Sequence, residues 1–358
     1  MKVLQSMFCI ASVFLSLASA QGQVLATERA ANGLPAGQTA GPNTPGGGVV
    51  VGRFFYATDA VWGLRNYQPA DPNNGDPINT GTLVFNSAND GRSMGGTSLC
   101  FFFCHAGQVA YDGNQTVYIT AYDQPKGQPG SVDLPGVWRA TIDPVQGFIS
   151  PSARLVPNAG LAGNQPTAIA LGPDGNLYVG FLKNGNVVRI VNPALDPSSP
   201  SQIVQSVGTS PNGRPVRGLT FVGPDLYVAS TGGLSVIRNA VSPACLGGCN
   251  GVLISDGFSG ISHVGIASDG VNRLYMAIDG QGVWRYTIAN GAMHLISTGG
   301  DDPNTGLPLG FAFVGGNSNL VMLDRLGNLW IGDDASDGHA NFSGRIWYIS
   351  AAALGTIL

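Results

Sequence analysis

Short runs of small and apolar residues alternate with turn residues along most of the chain, most clearly within residues 166–190. Residues 167–171, 177–181 and 187–190 are apolar runs of a length typical of β-strands. Pro-Asp-Gly-Asn and Asn-Gly-Asn separate these runs, and glycine and asparagine tolerate the positive φ that tight turns require. The pattern therefore predicts a three-stranded meander, which is too short to bury both of its faces alone.

The second of these runs recurs along the chain around a large aromatic residue. The recurring residues are separated by 48 to 62 positions and are Tyr56, Tyr118, Tyr178, Tyr227, Tyr275 and Trp330. Third strands are predicted after them, for example at 136–139, 282–285 and 344–347. A period of this length with about four strands per unit is typical of a β-propeller. The sequence thus predicts an all-β fold, a six-bladed β-propeller of four-stranded antiparallel blades.

The last blade admits two strand assignments. Residues 307–314 and 319–323 are both strand-like and both precede the apolar run at 329–332. We also expect the two ends of the ring to be joined, and residues 49–51 are predicted to pair with the last blade.

The stretch 166–190 resembles the NHL repeat, and the whole set of repeats resembles six-bladed NHL-type and gluconolactonase-like propellers. The resemblance covers residues 49–349. It implies a ring of blades around a channel whose mouth binds ligands. Since this ring hosts binding proteins, hydrolases and lyases, the resemblance indicates a fold and not an activity.

The N-terminal residues resemble an export signal. Lys2 precedes an apolar run at 3–17, and Ala18-Ser19-Ala20 ends it with small residues, which is typical of a signal peptide cleaved after Ala20. Residues 21–48, rich in glycine, proline and alanine, are predicted to be a flexible leader. Residues 49–358 are predicted to form the propeller. No further segment is apolar enough for a membrane span, so we expect a secreted or periplasmic protein.

Charged residues are few. They make up 11% of the chain, and the formal net charge is −4. No basic groove is visible, so nucleic acid is not an expected partner. The single glutamate of the chain is Glu28, in the predicted leader.

Two pairs of cysteines share one spacing, Cys100 with Cys104 and Cys245 with Cys249. The first pair precedes the first strand of blade two and the second follows the third strand of blade four, and these loops lie on opposite faces of a propeller. The predicted disulfides are therefore Cys100–Cys104 and Cys245–Cys249. Two alternatives remain open: a zinc site, and a haem attached at Cys100, Cys104 and His105 through a variant of the Cys-x2-Cys-His motif.

Loops at the channel mouth collect the candidate site residues. Candidates at the ends of second strands are Asp59, Asp123, Asp279 and Asp333, and candidates at the beginnings of first strands are His105, Asn164, Arg217 and His263. His105, His263 and Arg217 are the candidate catalytic groups, and the aspartates and Asn164 are the candidate ligand-binding groups. Aspartates in such positions often cap their own turns, and either histidine could be an ordinary hydrogen-bonded wall residue.

Calcium is the cation that a ring of aspartates suggests. The candidate ligands are Asp279, Asp333, Asp334 and Asp337. Gluconolactonase-like propellers hold a channel calcium with a glutamate among its ligands, and residues 49–358, the predicted propeller, contain none. Asn164 resembles their asparagine ligand only loosely.

Two functions follow from these observations. The first is a monomeric, non-enzymatic propeller that binds a small molecule, a glycan or a protein at the channel mouth. The second is a calcium-dependent hydrolase or lyase of the gluconolactonase-like kind, with Asp59, Asp123, Asp279 or Asp333 as ligands and His105 or His263 as base.

Overall fold

The computed structural model describes residues 27–31, 45–52, 54–59, 63–67, 82–85, 106–121, 136–145, 147–148, 154–155, 165–196, 198–261, 264–301, 308–310, 320–333 and 345–355. These residues form antiparallel sheets, five of them four-stranded and one five-stranded, besides a two-stranded hairpin. The expected all-β propeller of four-stranded blades is therefore confirmed at this level.

Each blade uses strands that are consecutive in the sequence, apart from the blade that closes the ring. Blade one comprises β2 (Pro45–Val51), β3 (Phe54–Asp59), β4 (Gly63–Tyr67) and β5 (Thr82–Phe85). Blade two comprises β6 (Ala106–Tyr111), β7 (Thr116–Ala121), β8 (Gly136–Asp143) and β10 (Arg154–Leu155), with β9 (Gly147–Phe148) paired to β8. Blade three comprises β11 (Pro166–Leu171), β12 (Leu177–Phe181), β13 (Asn186–Val191) and β14 (Ile203–Thr209).

The remaining blades follow the same plan. Blade four comprises β15 (Val216–Val222), β16 (Asp225–Ser230), β17 (Gly233–Ile237) and β18 (Val252–Ser255). Blade five comprises β19 (Val264–Ser268), β20 (Arg273–Ile278), β21 (Gly282–Thr287) and β22 (Ala292–Ser297). The closing blade comprises β25 (Val321–Leu323), β26 (Leu329–Asp333), β27 (Arg345–Ile349) and β1 (Thr27–Ala31), and a short helix α1 (Ala351–Gly355) follows it.

The first strands of successive blades contact one another. The contacts run from β2 to β6, then to β11, β15, β19 and β25, and from β25 back to β2. Each blade thus packs on its neighbours around a central channel, and the innermost strands line that channel.

The sequence predicted that residues 49–51 would pair with the last blade and close the ring. In the structure β1 closes the ring instead. Thr27 pairs with Tyr348 and Ala31 pairs with Arg345, so that β1 is the outer strand of the closing blade. Residues 49–51 instead belong to β2 and pair with Phe54, Phe55 and Tyr56 of blade one. The predicted flexible leader therefore contains all of β1 and the beginning of β2. An outer strand joins its sheet through backbone hydrogen bonds, so β1 needs no apolar pattern.

The strand-like stretch 319–323 contains the first strand of the closing blade. β25 pairs with β26, and Met322 lies opposite Trp330. The competing stretch 307–314 contains β24 (Pro308–Gly310), which forms a separate hairpin with β23 (Gly299–Asp301).

The recurring aromatic residues are the centres of the packed layers between blades, as predicted. Each lies on the second strand of its blade and is at most 4% exposed: Tyr56, Tyr118, Tyr178, Tyr227, Tyr275 and Trp330. In the closing blade, the Trp330 ring lies 4.8 Å from the Phe55 ring of blade one and 4.9 Å from the Tyr348 ring. Aromatic side chains of this size contribute most of the buried apolar area of a layer.

The Cys245–Cys249 disulfide is present as predicted, with the two Cα atoms 4.9 Å apart. Cys100 and Cys104 lie outside the described residues, so their pairing and the zinc and haem alternatives stay predictions. The Cys245–Cys249 loop, between β17 and β18 of blade four, runs beside β14 of blade three. Backbone amides of Gly247, Cys249 and Gly251 donate to the carbonyls of Ser206, Val207 and Thr209 at 2.8, 3.1 and 2.8 Å.

Candidate functional site

The strand directions define two faces of the ring. First strands begin and second strands end on one face, which we call the mouth face. The turns between first and second strands lie on the other, which we call the hairpin face. The described candidate site residues, Asp59, Arg217, Asp279 and Asp333, belong to the mouth face by this topology.

Four adjacent blades carry the same irregularity at the mouth end of their first strand. The register between first and second strand shifts between Pro45 and Gly47, Ala106 and Val109, Pro166 and Ala168, and Val216 and Gly218. Such β-bulges add a residue to one strand and redirect the side chains around it, and they are frequent beside binding sites. The mouth of the channel is therefore built from irregular backbone in blades one to four.

Threonine hydroxyls join neighbouring blades at the level of these bulges. The Thr58 hydroxyl donates to the Gly107 carbonyl at 2.6 Å. Thr120 donates to the Thr167 carbonyl at 3.0 Å, and Thr167 donates to the Val216 carbonyl at 2.7 Å. Each bond crosses from one blade to the next and satisfies a carbonyl that the bulge leaves out of the ladder. The three threonines were not among the sequence candidates.

Arg217 lies on the bulge of β15, between Val216 and Gly218. It is half-buried. The sequence had proposed Arg217 as a candidate site residue, and the structure places it on the irregular part of its strand.

Asp279 is half-buried in the turn that joins β20 to β21. The turn is closed by the backbone amide of Gln281, which donates to the Ile278 carbonyl at 2.9 Å. Asp279 therefore lies at the mouth end of blade five, where the sequence placed it.

Asp333 ends β26 and is completely buried. The Trp347 indole Nε1 donates to its Oδ2 at 3.2 Å. Arg345 lies opposite Asp333 in the strand pairing, and its guanidinium carbon lies 6.0 Å from the centre of the Trp347 ring. A buried carboxylate requires hydrogen bonds or a cation to offset its desolvation, and Trp347 supplies one of those bonds. Asp333, a candidate ligand-binding residue, therefore also has a structural role as the acceptor for Trp347.

The structure leaves several candidates untested. Asp59 is the last residue of β3 and lies between Pro45 of β2 and Gly63 of β4 in the strand pairing. The remaining candidates lie outside the described residues: His105, Asp123, Asn164, His263, Asp334 and Asp337. Within the described part of the chain, no group of three or more histidine, cysteine, aspartate or glutamate side chains is arranged to hold a metal ion.

Aspartates do cap turns in this fold, but on the hairpin face. Asp112 and Asp269 each accept three backbone hydrogen bonds from the turn that follows them, at 2.8 to 3.0 Å. Asp324 accepts from the backbone amides of Leu326 and Asn328 at 2.9 and 3.0 Å. The signal was present in the sequence, since each of these aspartates precedes the aromatic centre of its blade by six residues.

Burial of the aromatic centres also changes their ionisation. Desolvation raises the pKa of Tyr118 to about 12, and the nearby Asp112 carboxylate adds to this effect. Desolvation likewise raises the pKa of Tyr178 and of Tyr227. These phenols stay protonated at neutral pH, so we assign them to the core and not to proton transfer.

Comparison with known proteins shows the fold alone. No protein-family model matches the chain, and no curated protein sequence matches it. An aldose sugar dehydrogenase from Streptomyces coelicolor, solved with bound PQQ, is 15% identical, with a TM-score of 0.53 over 92% of this chain and 98% of that one. The gluconolactonase XC5397 from Xanthomonas campestris is 14% identical, with the same TM-score and the same coverage.

The chain is also similar to part of a larger structure. The extracellular domain of BT4673 from B. thetaiotaomicron is 15% identical, with a TM-score of 0.47, and the match covers 89% of this chain and 39% of that one. In the described residues, no helix has the length and apolarity to cross a membrane.

Proposed function

We propose that this chain is an exported, six-bladed NHL-like propeller that binds a ligand or partner at its mouth face and performs no chemistry of its own. The count of six is supported by the succession of first-strand contacts, which passes through β2, β6, β11, β15, β19 and β25 before it returns to β2. Export is supported by the signal-like residues 1–20, which lie outside the described residues.

The observation that carries the binding proposal is the bulged mouth of blades one to four. Four neighbouring first strands depart from regular pairing at the same level, although regular pairing would be the more stable arrangement of each strand. Departures of this kind persist where a surface is shaped for a partner. The hydroxyl bridges of Thr58, Thr120 and Thr167 hold that surface in place. A fixed surface of this kind suits recognition, because little conformational freedom is lost on binding.

A thermal-shift screen tests the proposal. Sugars, sugar acids and lactones are screened for compounds that raise the melting temperature, since a ligand that binds only the native state stabilises it. Hits are then tested on Arg217→Met at the mouth and on Asp269→Asn at the hairpin face as the matched control. We expect the shift to fall in Arg217→Met and to persist in Asp269→Asn. Equal shifts in both variants would place the binding site elsewhere.

The alternative is a calcium-dependent hydrolase or lyase of the gluconolactonase-like kind. Asp279 and Asp333 favour it, since both end second strands on the mouth face and blade five contacts the closing blade. The gluconolactonase from Xanthomonas campestris shares this fold along nearly its whole length. Under this alternative, chelation of the purified protein lowers the melting temperature and calcium restores it, because aspartates that converge without a cation repel one another.

Asp279→Asn separates the two functions. If Asp279 is only a turn residue, asparagine still accepts its hydrogen bonds, so stability changes by less than about 1 kcal/mol and the chelator has no effect on either protein. We expect this outcome. A chelator-dependent drop of several degrees that is absent in Asp279→Asn would favour the calcium enzyme, and metal analysis of undialysed protein provides an independent check.

A further inference from the structure

The Gln108 side chain reaches from blade two past blade three to blade four. It belongs to β6 of blade two and is 7% exposed. Its Oε1 accepts the backbone N–H of Ile169 in blade three at 3.3 Å. A Cβ atom placed on Gly218 of blade four would lie 3.2 Å from its Nε2. Because blades two and four are not neighbours, the side chain can reach Gly218 only through the channel.

One end of this carboxamide is paired and the other is not. In the described part of the chain, Gln108 Oε1 has the Ile169 amide as its donor, and no protein group accepts a hydrogen bond from Nε2. A primary amide carries two N–H donors. Nε2 is not among the fully buried side-chain atoms without a partner in the described residues, so it keeps some contact with the channel. The Nε2 group is therefore oriented and available to donate to a molecule in the channel.

Gly218 has no Cβ atom, which allows the Gln108 amide and the Ile266 side chain to approach the backbone of β15 closely. A methyl group at that position would also come within 2.7 Å of the Ile266 side chain of blade five. The nearby described groups, the backbone of Ile169 and Gly218 and the side chain of Ile266, carry no charge. Arg217 precedes Gly218 but already interacts within the protein.

We propose that Gln108 is a ligand-binding residue at the base of the channel mouth and donates a hydrogen bond to an uncharged carbonyl oxygen of the ligand. An uncharged acceptor is favoured because, among the described residues around Nε2, an anion would lose its hydration without gaining a cation that is not already engaged. Gln108 lies two residues after the beginning of β6 and is part of its bulge, between Ala106 and Val109. The inference rests on the proposed binding function and identifies the chemistry of its deepest contact.

The test uses acetamide and acetate, which have the same shape and differ in charge. Protein labelled with 15N in the glutamine side chains is titrated with each compound, and the carboxamide signals are followed by NMR. We expect acetamide to shift the Gln108 signals in a saturable way, and acetate to require at least ten-fold higher concentration. No shift with acetamide, or an equal response to acetate, would overturn the proposal.

Two variants and a matched control complete the test. Gln108→Met keeps the length of the side chain but removes the donor, and it should weaken acetamide binding at least ten-fold, as followed on the backbone amides of Ile169 and Gly218. Gly218→Ala retains the Gln108 signals but places a methyl group against Nε2, so it should weaken binding even if Gln108→Met fails to fold. Gln202→Met removes another buried glutamine, one that already donates to the Leu195 carbonyl at 3.0 Å, and should leave binding unchanged.

The outcome can be separated from that of the proposed function. If compounds from the thermal-shift screen depend on Arg217 while acetamide binding is the same in Gln108→Met, the mouth binds ligands and the role given to Gln108 is wrong. If neither substitution affects any compound, both proposals fail.

Discussion

Blade three and the closing blade are both four-stranded antiparallel sheets, but only blade three is formed by consecutive strands of the chain. Blade three is continuous from Pro166 to Thr209, whereas the closing blade pairs β1 with β27, more than 300 residues away in the sequence. Both contain an aspartate that accepts from the aromatic centre. Asp174 accepts from the Tyr178 hydroxyl at 3.0 Å, and Asp324 accepts from the Trp330 indole at 3.1 Å.

The two aspartates differ in burial. Asp324 is 8% exposed, whereas Asp174 lies at the surface with 21% of its side chain exposed and Arg189 3.6 Å away. The comparison shows that the same aspartate-to-aromatic hydrogen bond contributes differently to stability, depending on how deeply the aspartate is buried. The predictions below test this difference, beginning with the largest expected effect.

Replacing the aromatic centres should have the largest effect. Trp330→Ala and Tyr178→Ala each remove a large buried side chain, and each is expected to lower the free energy of unfolding by about 3–5 kcal/mol. Trp330→Ala should cause the larger loss of stability, since the indole contacts Phe55 of blade one where the closing blade meets it. Urea unfolding followed by circular dichroism measures both. A loss below about 1 kcal/mol would mean that the residue does not pack between the sheets.

Removing the aspartates should separate the two blades. Asp324→Ala leaves the indole N–H of Trp330 and the Asn328 side chain without their acceptor, at a cost of about 2–3 kcal/mol. Asp174→Ala exposes its former partners to water, which replaces the lost bonds, so about 1 kcal/mol is expected. The same unfolding experiment compares them. Equal losses would show that burial does not control the contribution of this motif.

Removing the Cys245–Cys249 disulfide should weaken the attachment of its loop to β14 of blade three and leave the closing blade unchanged. The Cys245–Cys249 loop encloses few residues, so Cys245→Ser with Cys249→Ser should cost about 2 kcal/mol by loop entropy. Hydrogen exchange should accelerate at the Gly247, Cys249 and Gly251 amides that donate to β14. Amides between β26 and β27 serve as the internal control and should not change. Unchanged exchange in the loop would show that it stays docked without the disulfide.

The smallest effect concerns high pH. Burial raises the pKa of Tyr118 to about 12 and also raises that of Tyr178 above its value in the unfolded chain, near 10. The unfolded state then loses its phenolic protons first, so stability is intact below pH 10 and falls as the pH rises through 12. Tyr178→Phe should flatten this fall, whereas Trp330→Phe in the closing blade should not, since tryptophan does not titrate. Unfolding midpoints between pH 8 and 12 measure the difference.

Much of this fold is readable from local patterns. The turn sequence around Asp174 and Gly175 and the apolar run that follows are sufficient to predict a hairpin, because both depend on neighbouring residues. The six aromatic centres were identified for the same reason. The cysteine pair at 245 and 249 is equally local, and its disulfide was predicted correctly.

Long-range contacts were not readable in this way. β1 carries no apolar pattern. Its place beside β27 depends on backbone hydrogen bonds between two strands that lie near opposite ends of the sequence. The threonine bridges and the position of Gln108 depend on three blades meeting at one level. A single threonine or glutamine on a first or second strand looks like any other until its neighbours are known.

The sequence by itself therefore determined the repeat, the strands and the aromatic layers, since these follow from periodicity and turn chemistry within a few dozen residues. Only the tertiary structure decided which strand closes the ring and which side chain reaches from blade two to Gly218 of blade four. The physical reason is that these features join groups that are distant in sequence, and their free energy comes from the closed ring as a whole.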